Sequence, residues 1–199
     1  KKDRKKALKG VDMVVNLAAI VGDPACAKDP ERAKETNLEA TKSLYTEAND
    51  SGVERFVFAS TCSNYGKAKN PETFMTETST LSPVSLYAET KVAAEKFLLS
   101  QAKTNTTKPT CLRFSTVYGL SPRVRFDLTV NEFTKELALG RELEIFGEQF
   151  WRPYCHVEDL ARSVVYVLNA QTDKVAFDVF NVGDTNENYT KKMLADELQ

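Results

Sequence analysis

The sequence predicts an α/β fold in which a doubly wound parallel sheet is covered by helices on both faces. Short apolar runs alternate along the chain with longer segments of helical periodicity. The apolar runs are nearly continuous, which is typical of parallel strands buried on both faces. The 199 residues, 42% of them hydrophobic, are enough for one packed domain or for one domain and part of a second.

The first predicted strand and helix precede Gly52. Residues 11–18 (VDMVVNLA) form an apolar run of strand length. Asp29 and Pro30 are typical of an N-cap and a first helical turn, and an apolar stripe continues from there until Gly52. A helix is therefore expected over residues 29–50.

A second strand, a long loop, a helix and a third strand follow. Residues 53–60 (VERFVFAS) are rich in β-branched and aromatic residues, which favour a strand. The polar stretch 61–81 is a predicted loop, and long loops in compact domains are usually functional. Ser82 and Pro83 predict the start of a helix that runs to about residue 103. The remaining elements, in order, are a strand at 110–115, a helix around 128–139, a short strand at 143–146, a helix at 157–169, a strand at 178–182 and a charged helix to residue 199.

Composition and charge argue against several classes of protein. The 27 Lys and Arg residues balance 28 Asp and Glu residues, which disfavours a nucleic-acid-coating protein. The basic N-terminus is interpreted as the solvated end of a helix rather than a nucleic-acid-binding arm, because no aromatic residues are interleaved with it. No uncharged apolar run approaches the ~20 residues of a membrane span, and no signal-peptide core is present. Four widely spaced cysteines and one histidine predict reduced cytoplasmic thiols, with no structural zinc site or disulfide scaffold.

Tyr87 and Lys91 form a Y-x-x-x-K pattern on the helix predicted after Ser82. Residues four apart share a helical face, so the phenol and the ammonium can serve one site. A tyrosine with a pKa of about 10 is a poor base at neutral pH, and a nearby cation lowers that pKa. Taken alone, the pattern also fits a chance pair on a solvated helix face.

Hydroxyl residues follow the second predicted strand. Ser60 and Thr61 lead into the run CSNYG. A hydroxyl at this place could hydrogen-bond the same substrate oxygen that Tyr87 protonates or deprotonates. The alternative is ordinary turn chemistry, because Ser, Thr and Asn favour strand ends in any case.

Four motifs occur in a characteristic order: NLAA at residues 16–19, Asn37 within ETNLEATKSL, STCSNYG followed by YAETK, and RPYCHVED at residues 152–159. In these motifs the chain resembles the extended short-chain dehydrogenase/reductases, in particular the NAD-dependent epimerase/dehydratase group that acts on nucleotide sugars. The resemblance extends over nearly the whole chain. It implies a Rossmann-like dinucleotide-binding part at residues 1–120. Residues 121–199 would form part of a small substrate-binding lobe, interleaved with the last strands of the sheet.

The resemblance also implies roles for individual residues. Tyr87 would be the acid/base, Lys91 its pKa partner and ribose anchor, and Thr61 the catalytic hydroxyl with Ser60 behind it. The implied cofactor contacts are Leu17, Ala18, Ala19, Asn37, Ser60, Tyr87, Lys91 and Ser115. The implied substrate contacts are Thr61, Cys62, Ser63, Thr116 and Arg152.

Some of these assignments have alternatives. The guanidinium of Arg152 suits the substrate diphosphate, although a structural salt bridge would also explain it. Many relatives have asparagine where this chain has Thr116. Cys62 is interpreted as a small buried filler rather than a reactive thiol. His156 is expected to pack or cap beside Asp159, which would cap the next helix, and no metal site is predicted.

Two departures from the family pattern matter. The family's 4,6-dehydratases carry an acidic pair directly after the catalytic threonine, where this chain has Cys62 and Ser63, so a dehydratase is disfavoured. No glycine-rich phosphate turn of the GxGxxG or GxxGxxG type occurs, and the chain stops within a helical pattern. We therefore expect a piece of a longer enzyme that lacks the first strands. The strand at 11–18 would then be an open sheet edge, and the piece would bind dinucleotide weakly or not at all.

The function implied by the resemblance is an NAD-dependent nucleotide-sugar epimerase, with NADP as the alternative cofactor. A reductase or decarboxylase on the same scaffold, a non-catalytic dinucleotide-sensing or scaffold protein, and an inactive truncated fragment are the alternatives. The expected partner is a nucleotide-diphosphate sugar, with no nucleic acid and no membrane. When full length, the protein is expected to be a cytoplasmic homodimer formed through the Tyr87 helix and the helix before it.

Overall fold

The computed structural model describes residues 2–67 and 73–199, and its contacts divide the chain into two compact units. Unit 1 comprises Lys1–Arg113 and Val164–Asn181, and unit 2 comprises Phe114–Ser163 and Val182–Gln199. Residues 68–72 of the predicted loop at 61–81 lie outside the described residues. Within the described parts of the chain, no helix has the length and apolar character needed to cross a bilayer.

The first sheet has four strands in the order β1-β2-β3-β6. These strands are β1 (Met13–Asn16), β2 (Arg55–Thr61), β3 (Lys108–Phe114) and β6 (Asp178–Val182). β1 pairs with β2 in parallel, with Asn16 opposite Phe58, so the carboxyl ends of both strands lie at the same edge. The predicted Rossmann-like α/β fold is confirmed. β1 lies at one end of the strand order, and Met13 is exposed.

The helices of unit 1 fill the connections between these strands. They are α1 (Lys2–Ala7), α2 (Asp23–Lys28), α3 (Pro30–Lys34), α4 (Ala40–Asp50), α5 (Leu86–Leu99) and α8 (Thr172–Val175), while α7 (Val157–Asn169) begins in unit 2 and ends in unit 1. Asp29 caps α3 as predicted, because its side chain accepts the Arg32 amide at 3.1 Å. A π-helical segment, Glu35–Glu39, joins α3 to α4 and was not expected.

The predicted start of the Tyr87 helix at Ser82 is wrong. Ser85 caps α5 and accepts the Ala88 amide at 3.3 Å. The backbone N–H of Ser82 instead donates to the carbonyl of Asn64 at 3.0 Å, which ties it to the 3₁₀ helix Cys62–Tyr65. The helix also ends at Leu99, earlier than the predicted residue 103.

The core of unit 1 lies between the sheet and the helices α4 and α5. Its largest fully buried members from these elements are Tyr45, Phe56, Phe58 and Leu98, and Val53 joins them from the loop before β2. β2 and β3 are the most buried strands, and Phe56 and Phe58 of β2 are fully enclosed. The packing of α5 on β2 places the first turns of α5 beside the carboxyl end of that strand.

Unit 2 has a smaller sheet in the order β4-β5-β7. Its elements are β4 (Thr116–Tyr118), α6 (Thr129–Ala138), β5 (Trp151–His156), β7 (Asn188–Thr190) and α9 (Lys191–Leu198). The strand predicted at 143–146 is wrong, because Leu143 and Ile145 pack from a loop against the core cluster of Phe133, Tyr154, Leu194 and Ala195. The apolar spacing of that segment is therefore satisfied by packing and not by strand pairing.

Candidate active site

The end of β2 and the start of α5 bring three predicted catalytic residues together. Thr61 is the last residue of β2, and Tyr87 and Lys91 occupy successive turns of α5. The Thr61 side chain lies close enough to the Tyr87 phenol to lower its pKa. The Thr61 hydroxyl accepts the Ser63 amide at 3.2 Å and thereby caps the 3₁₀ helix Cys62–Tyr65. The Thr61 hydroxyl is thus held by a backbone amide and lies beside the phenol of Tyr87.

The environment of Tyr87 favours the protonated phenol. Burial raises the pKa of Tyr87 from 10.0 to about 12, although the nearby Thr61 side chain acts in the opposite direction. Lys91 was expected to lower this pKa, whereas burial dominates and the net shift is upward. The Nζ of Lys91 lies 5.9 Å from the centroid of the Tyr87 ring and donates to the carbonyl of Ala59 at 2.7 Å.

Lys91 is a buried cation. Its side chain is enclosed, with Nζ over the ring of Phe58 at 4.7 Å from the centroid. Burial lowers the pKa of Lys91 from 10.5 to about 8, because the charged form loses its hydration. A lysine perturbed in this way beside a strand end is a candidate functional group.

The segment after β1 lies at the same sheet edge as Thr61. Leu17 and Ala18 are exposed there, and Ala19 is half-buried. The Ala18 amide donates to the side chain of Asn16 at 3.2 Å, which helps to fix the segment. These placements agree with the expected position of a dinucleotide-binding turn at the carboxyl end of a parallel strand.

Asn37 holds this segment in place through hydrogen bonds to its backbone. Its side chain accepts the Ile20 amide at 2.8 Å and donates to the Ile20 carbonyl at 3.0 Å and to the Thr90 hydroxyl at 3.3 Å. Asn37 is fully buried, so the direct approach to a cofactor implied by the resemblance does not fit this geometry. The π-helical segment presents Asn37 to both the loop and α5, and Asn37 is therefore a positioning residue for the segment that Leu17 begins.

The chain neighbours of Thr61 differ in their burial and hydrogen bonds. These neighbours are Ser60, Cys62 and Ser63. Ser60 is buried and its hydroxyl donates to Glu95 at 2.9 Å, so it does not present a group to a cofactor. Cys62 and Ser63 lie in the 3₁₀ helix and are half-buried. Cys62 is thus not the fully buried filler that we expected.

The remaining predicted contacts belong to unit 2. The hydroxyl of Ser115 donates to the Val182 carbonyl at 2.7 Å. Thr116 opens β4 opposite Tyr154, and Arg152 lies on β5 opposite Tyr189. Arg152 is exposed and pairs with no carboxylate within residues 2–67 and 73–199, so the salt-bridge interpretation is not realised there.

His156 has a structural role in unit 2. Its Nδ1 accepts the Glu158 amide at 3.4 Å, and its ring packs edge-on against Tyr118 with centroids 5.5 Å apart. Asp159 lies inside the first turn of α7 and pairs with Arg162 at 3.1 Å, so the predicted N-cap role of Asp159 is wrong. Among the residues that the structure describes, no three His, Cys, Asp or Glu side chains could hold a metal ion.

Two buried charged residues beside the site were missed by sequence reasoning. Glu95 and Arg113 form an ion pair in which both side chains are nearly inaccessible, at 2% and 4% exposure respectively. Glu95 repeats the four-residue spacing of Tyr87 and Lys91, and Arg113 interrupts an otherwise apolar strand. These two signals could have identified the pair.

The fold and the site define a Rossmann-like α/β protein that carries a Thr-Tyr-Lys group at the carboxyl end of a central strand. The chain belongs to the NAD dependent epimerase/dehydratase family, whose model matches residues 1–183. It is 32% identical over 170 residues to the uncharacterized UDP-glucose epimerase YtcB of Bacillus subtilis, covering 83% of this chain and 52% of YtcB.

Solved structures agree. MoeE5 in complex with UDP-glucose and NAD is 29% identical with a TM-score of 0.86, over 98% of this chain and 64% of that chain. The UDP-glucose 4-epimerase of Thermotoga maritima with UDP-glucose is 28% identical with a TM-score of 0.87, over 99% of this chain and 62% of that chain. The chain therefore spans about half the length of the curated relatives and somewhat less than two thirds of these structures.

Proposed function

We propose that the protein is an NAD-dependent nucleotide-sugar epimerase in which Tyr87 is the acid/base. The observation that carries this proposal is the placement of Tyr87 beside Thr61 at the carboxyl edge of a parallel sheet, with the buried ammonium of Lys91 one helical turn away and bonded to β2. Ligands of open parallel sheets bind at that edge. The UDP-sugar ligands of MoeE5 and of the T. maritima epimerase support a nucleotide sugar as substrate.

The residues at this edge fit a dinucleotide. Leu17 and Ala18 present exposed surface directly after β1, and Asn37 holds the segment that they begin. Lys91 uses one donor on the Ala59 carbonyl, and an ammonium has three, so a ribose hydroxyl that reached the enclosed Nζ would find two further donors. Bound NAD would supply the acceptor and then the donor of a hydride.

In the proposed reaction, Tyr87 takes the proton from a sugar hydroxyl and later returns one. The Thr61 hydroxyl hydrogen-bonds the same sugar oxygen and keeps it within reach of the phenol. Oxidation at the hydroxyl-bearing carbon gives a keto-sugar, and reduction from the opposite face inverts that carbon.

Epimerisation fits the site better than dehydration. Expelling water from the sugar ring needs a carboxyl group to protonate the departing hydroxyl, and Cys62 and Ser63 follow Thr61 where such groups would be needed. Inversion through a keto-sugar needs a phenol that exchanges one proton with one oxygen. Tyr87 and Thr61 can meet that requirement.

The test is Tyr87→Phe in a full-length version of the protein, assayed with UDP-, GDP- and dTDP-sugars in the presence of NAD. We expect turnover to fall by at least about 10²-fold while NAD affinity changes little, because the phenol acts on the proton and contributes little to cofactor affinity. Tyr166→Phe is the matched control, since Tyr166 is an exposed tyrosine on α7. Retained turnover in Tyr87→Phe would overturn the proposal.

A further inference from the structure

A buried polar cluster lies one helical turn beyond Lys91, and the reaction proposed above makes no use of it. Its centre is the Glu95–Arg113 ion pair, which joins α5 to β3. Glu95 accepts Nη2 of Arg113 on one carboxylate oxygen and Nε of Arg113 at 3.2 Å on the other. Both side chains are buried, so each must be held by several hydrogen bonds.

Glu95 contacts both sides of the Thr61 turn, which consists of Thr61 and the 3₁₀ helix Cys62–Tyr65 that it caps. Its second oxygen also accepts the Ser60 hydroxyl at 2.9 Å and the Asn64 amide nitrogen at 3.3 Å. Asn64 in turn donates to the Ser60 hydroxyl at 2.9 Å. Ser60 precedes Thr61 and Asn64 closes the 3₁₀ turn after it, so one carboxylate fixes the backbone on both sides of the Thr61 hydroxyl.

Arg113 holds the outer part of the same turn. Its Nη1 donates to the hydroxyl of Tyr65 at 2.8 Å and to the carbonyl of Glu77 at 3.0 Å. The Tyr65 hydroxyl donates to Asn181 at 2.6 Å, and the Asn181 amide donates to the Glu77 carboxylate at 2.8 Å. The guanidinium therefore links the turn to β6 and to the described part of the long loop.

Three residues of α5 that are spaced four apart contact consecutive residues of β2. Tyr87 meets Thr61, Lys91 meets Ala59 and Glu95 meets Ser60. A buried ion pair is rarely more stabilising than well-packed apolar residues, and in some proteins buried polar groups instead specify a single arrangement. A single arrangement of β2 against α5 is what the meeting of Thr61 and Tyr87 requires.

We propose that Glu95 and Arg113 are positioning residues, whose ion pair fixes the Thr61 turn so that the Thr61 hydroxyl meets Tyr87. The catalytic consequence rests on the proposed function, whereas the positioning itself does not. A small displacement of a reacting group can cost about 10²-fold in rate, so the pair would act on turnover without touching substrate.

The first test is amide hydrogen exchange in Glu95→Gln. The Ser63 amide, which donates to Thr61, should exchange about tenfold faster relative to the Lys108 amide, which donates to the Glu54 carbonyl. The ratio of the two rates removes any loss of global stability. Glu47→Gln is the matched control, because Glu47 forms an ion pair with Arg4 at 2.9 Å that does not involve this turn. The exchange ratio of Glu47→Gln should equal that of the wild type.

A second variant covers the case in which Glu95→Gln does not fold. Ser60→Ala removes one contact of Glu95 and leaves the ion pair in place, so the Ser63 ratio should still rise, by a smaller factor. An unchanged ratio in the folded variant or variants would overturn the proposal.

Kinetics separate positioning from a purely structural role. Both variants should lower kcat by about tenfold or more and leave KM within about twofold, because the sugar is still bound while the hydroxyl is misplaced. Faster Ser63 exchange with unchanged kcat would overturn the catalytic consequence. A full-length wild-type protein that turns over no nucleotide sugar would overturn the proposed function, and the exchange ratio would still decide whether Glu95 positions the turn.

Discussion

Replacement of Lys91 by methionine should change how stability depends on pH. Burial lowers the pKa of Lys91 from 10.5 to about 8, so between these values the unfolded chain binds a proton that the folded chain does not. The free energy of unfolding therefore rises with pH through this window. Each pKa unit corresponds to about 1.4 kcal/mol, which gives a total of about 3 kcal/mol.

The assay is urea denaturation of the wild type and Lys91→Met at pH 7, 8, 9 and 10. Buried thiols and phenols, such as Cys111 and Tyr87, have raised pKa values and oppose the trend at alkaline pH. The informative quantity is therefore the wild-type free energy of unfolding minus that of Lys91→Met at each pH. It should rise by about 3 kcal/mol between pH 7 and full deprotonation of the unfolded chain, with most of the rise by pH 10.

Lys96→Met is the matched control, because Lys96 is exposed on the same helix. The free energy of unfolding of the wild type minus that of Lys96→Met should stay constant over the same pH range. A constant difference for Lys91→Met as well would refute the reasoning, since it would mean that the Lys91 ammonium keeps its hydration in the folded chain.

Two further substitutions test the surroundings of the site. Gly66 has φ +70°, and a Cβ there would lie 1.9 Å from the Ser82 carbonyl oxygen, whereas Gly52 has φ +79° in open space. In urea denaturation, Gly52→Ala should cost about 1–2 kcal/mol and Gly66→Ala at least about 2 kcal/mol more; equal losses would contradict the close approach. Asn37→Ala leaves both backbone groups of Ile20 without their partner, so it should cost about 2–3 kcal/mol and weaken NAD binding in calorimetry. Unchanged NAD affinity would contradict a role for Asn37 in holding the cofactor-binding segment that begins at Leu17.

Local sequence patterns were sufficient for elements with a clear apolar periodicity and clear end signals. The helix at 157–169 and the strand at 178–182 have the predicted bounds. The π-helical segment was not predictable, because its extra residue per turn is stabilised by contacts of Asn37 with distant parts of the chain. Ser82 and Ser85 are both plausible caps in sequence, and the choice depends on the bond from Ser82 to Asn64.

The same distinction holds for the candidate site. The motif indicated Tyr87 and Lys91, and the resemblance to the family selected Thr61 among the hydroxyl residues at the strand end. The direction of the Tyr87 pKa shift, however, depends on burial that no motif encodes. Glu95 was missed because an isolated glutamate on a helix is usually solvated. Its partner Arg113 lies 18 positions away in the chain.

The two pKa shifts at the site have one cause and a common consequence. Burial disfavours both the phenolate of Tyr87 and the ammonium of Lys91, so the pKa of Tyr87 is raised and that of Lys91 is lowered. The phenol therefore keeps its proton at neutral pH, and the phenolate that acts as a base depends on every hydrogen bond made to its oxygen. One pKa unit is a tenfold change in the phenolate population, so the lowering effect of Thr61 on the pKa of Tyr87 bears directly on rate. Because the Glu95–Arg113 pair fixes the position of Thr61, loss of the pair should reduce the phenolate population in addition to destabilising the fold.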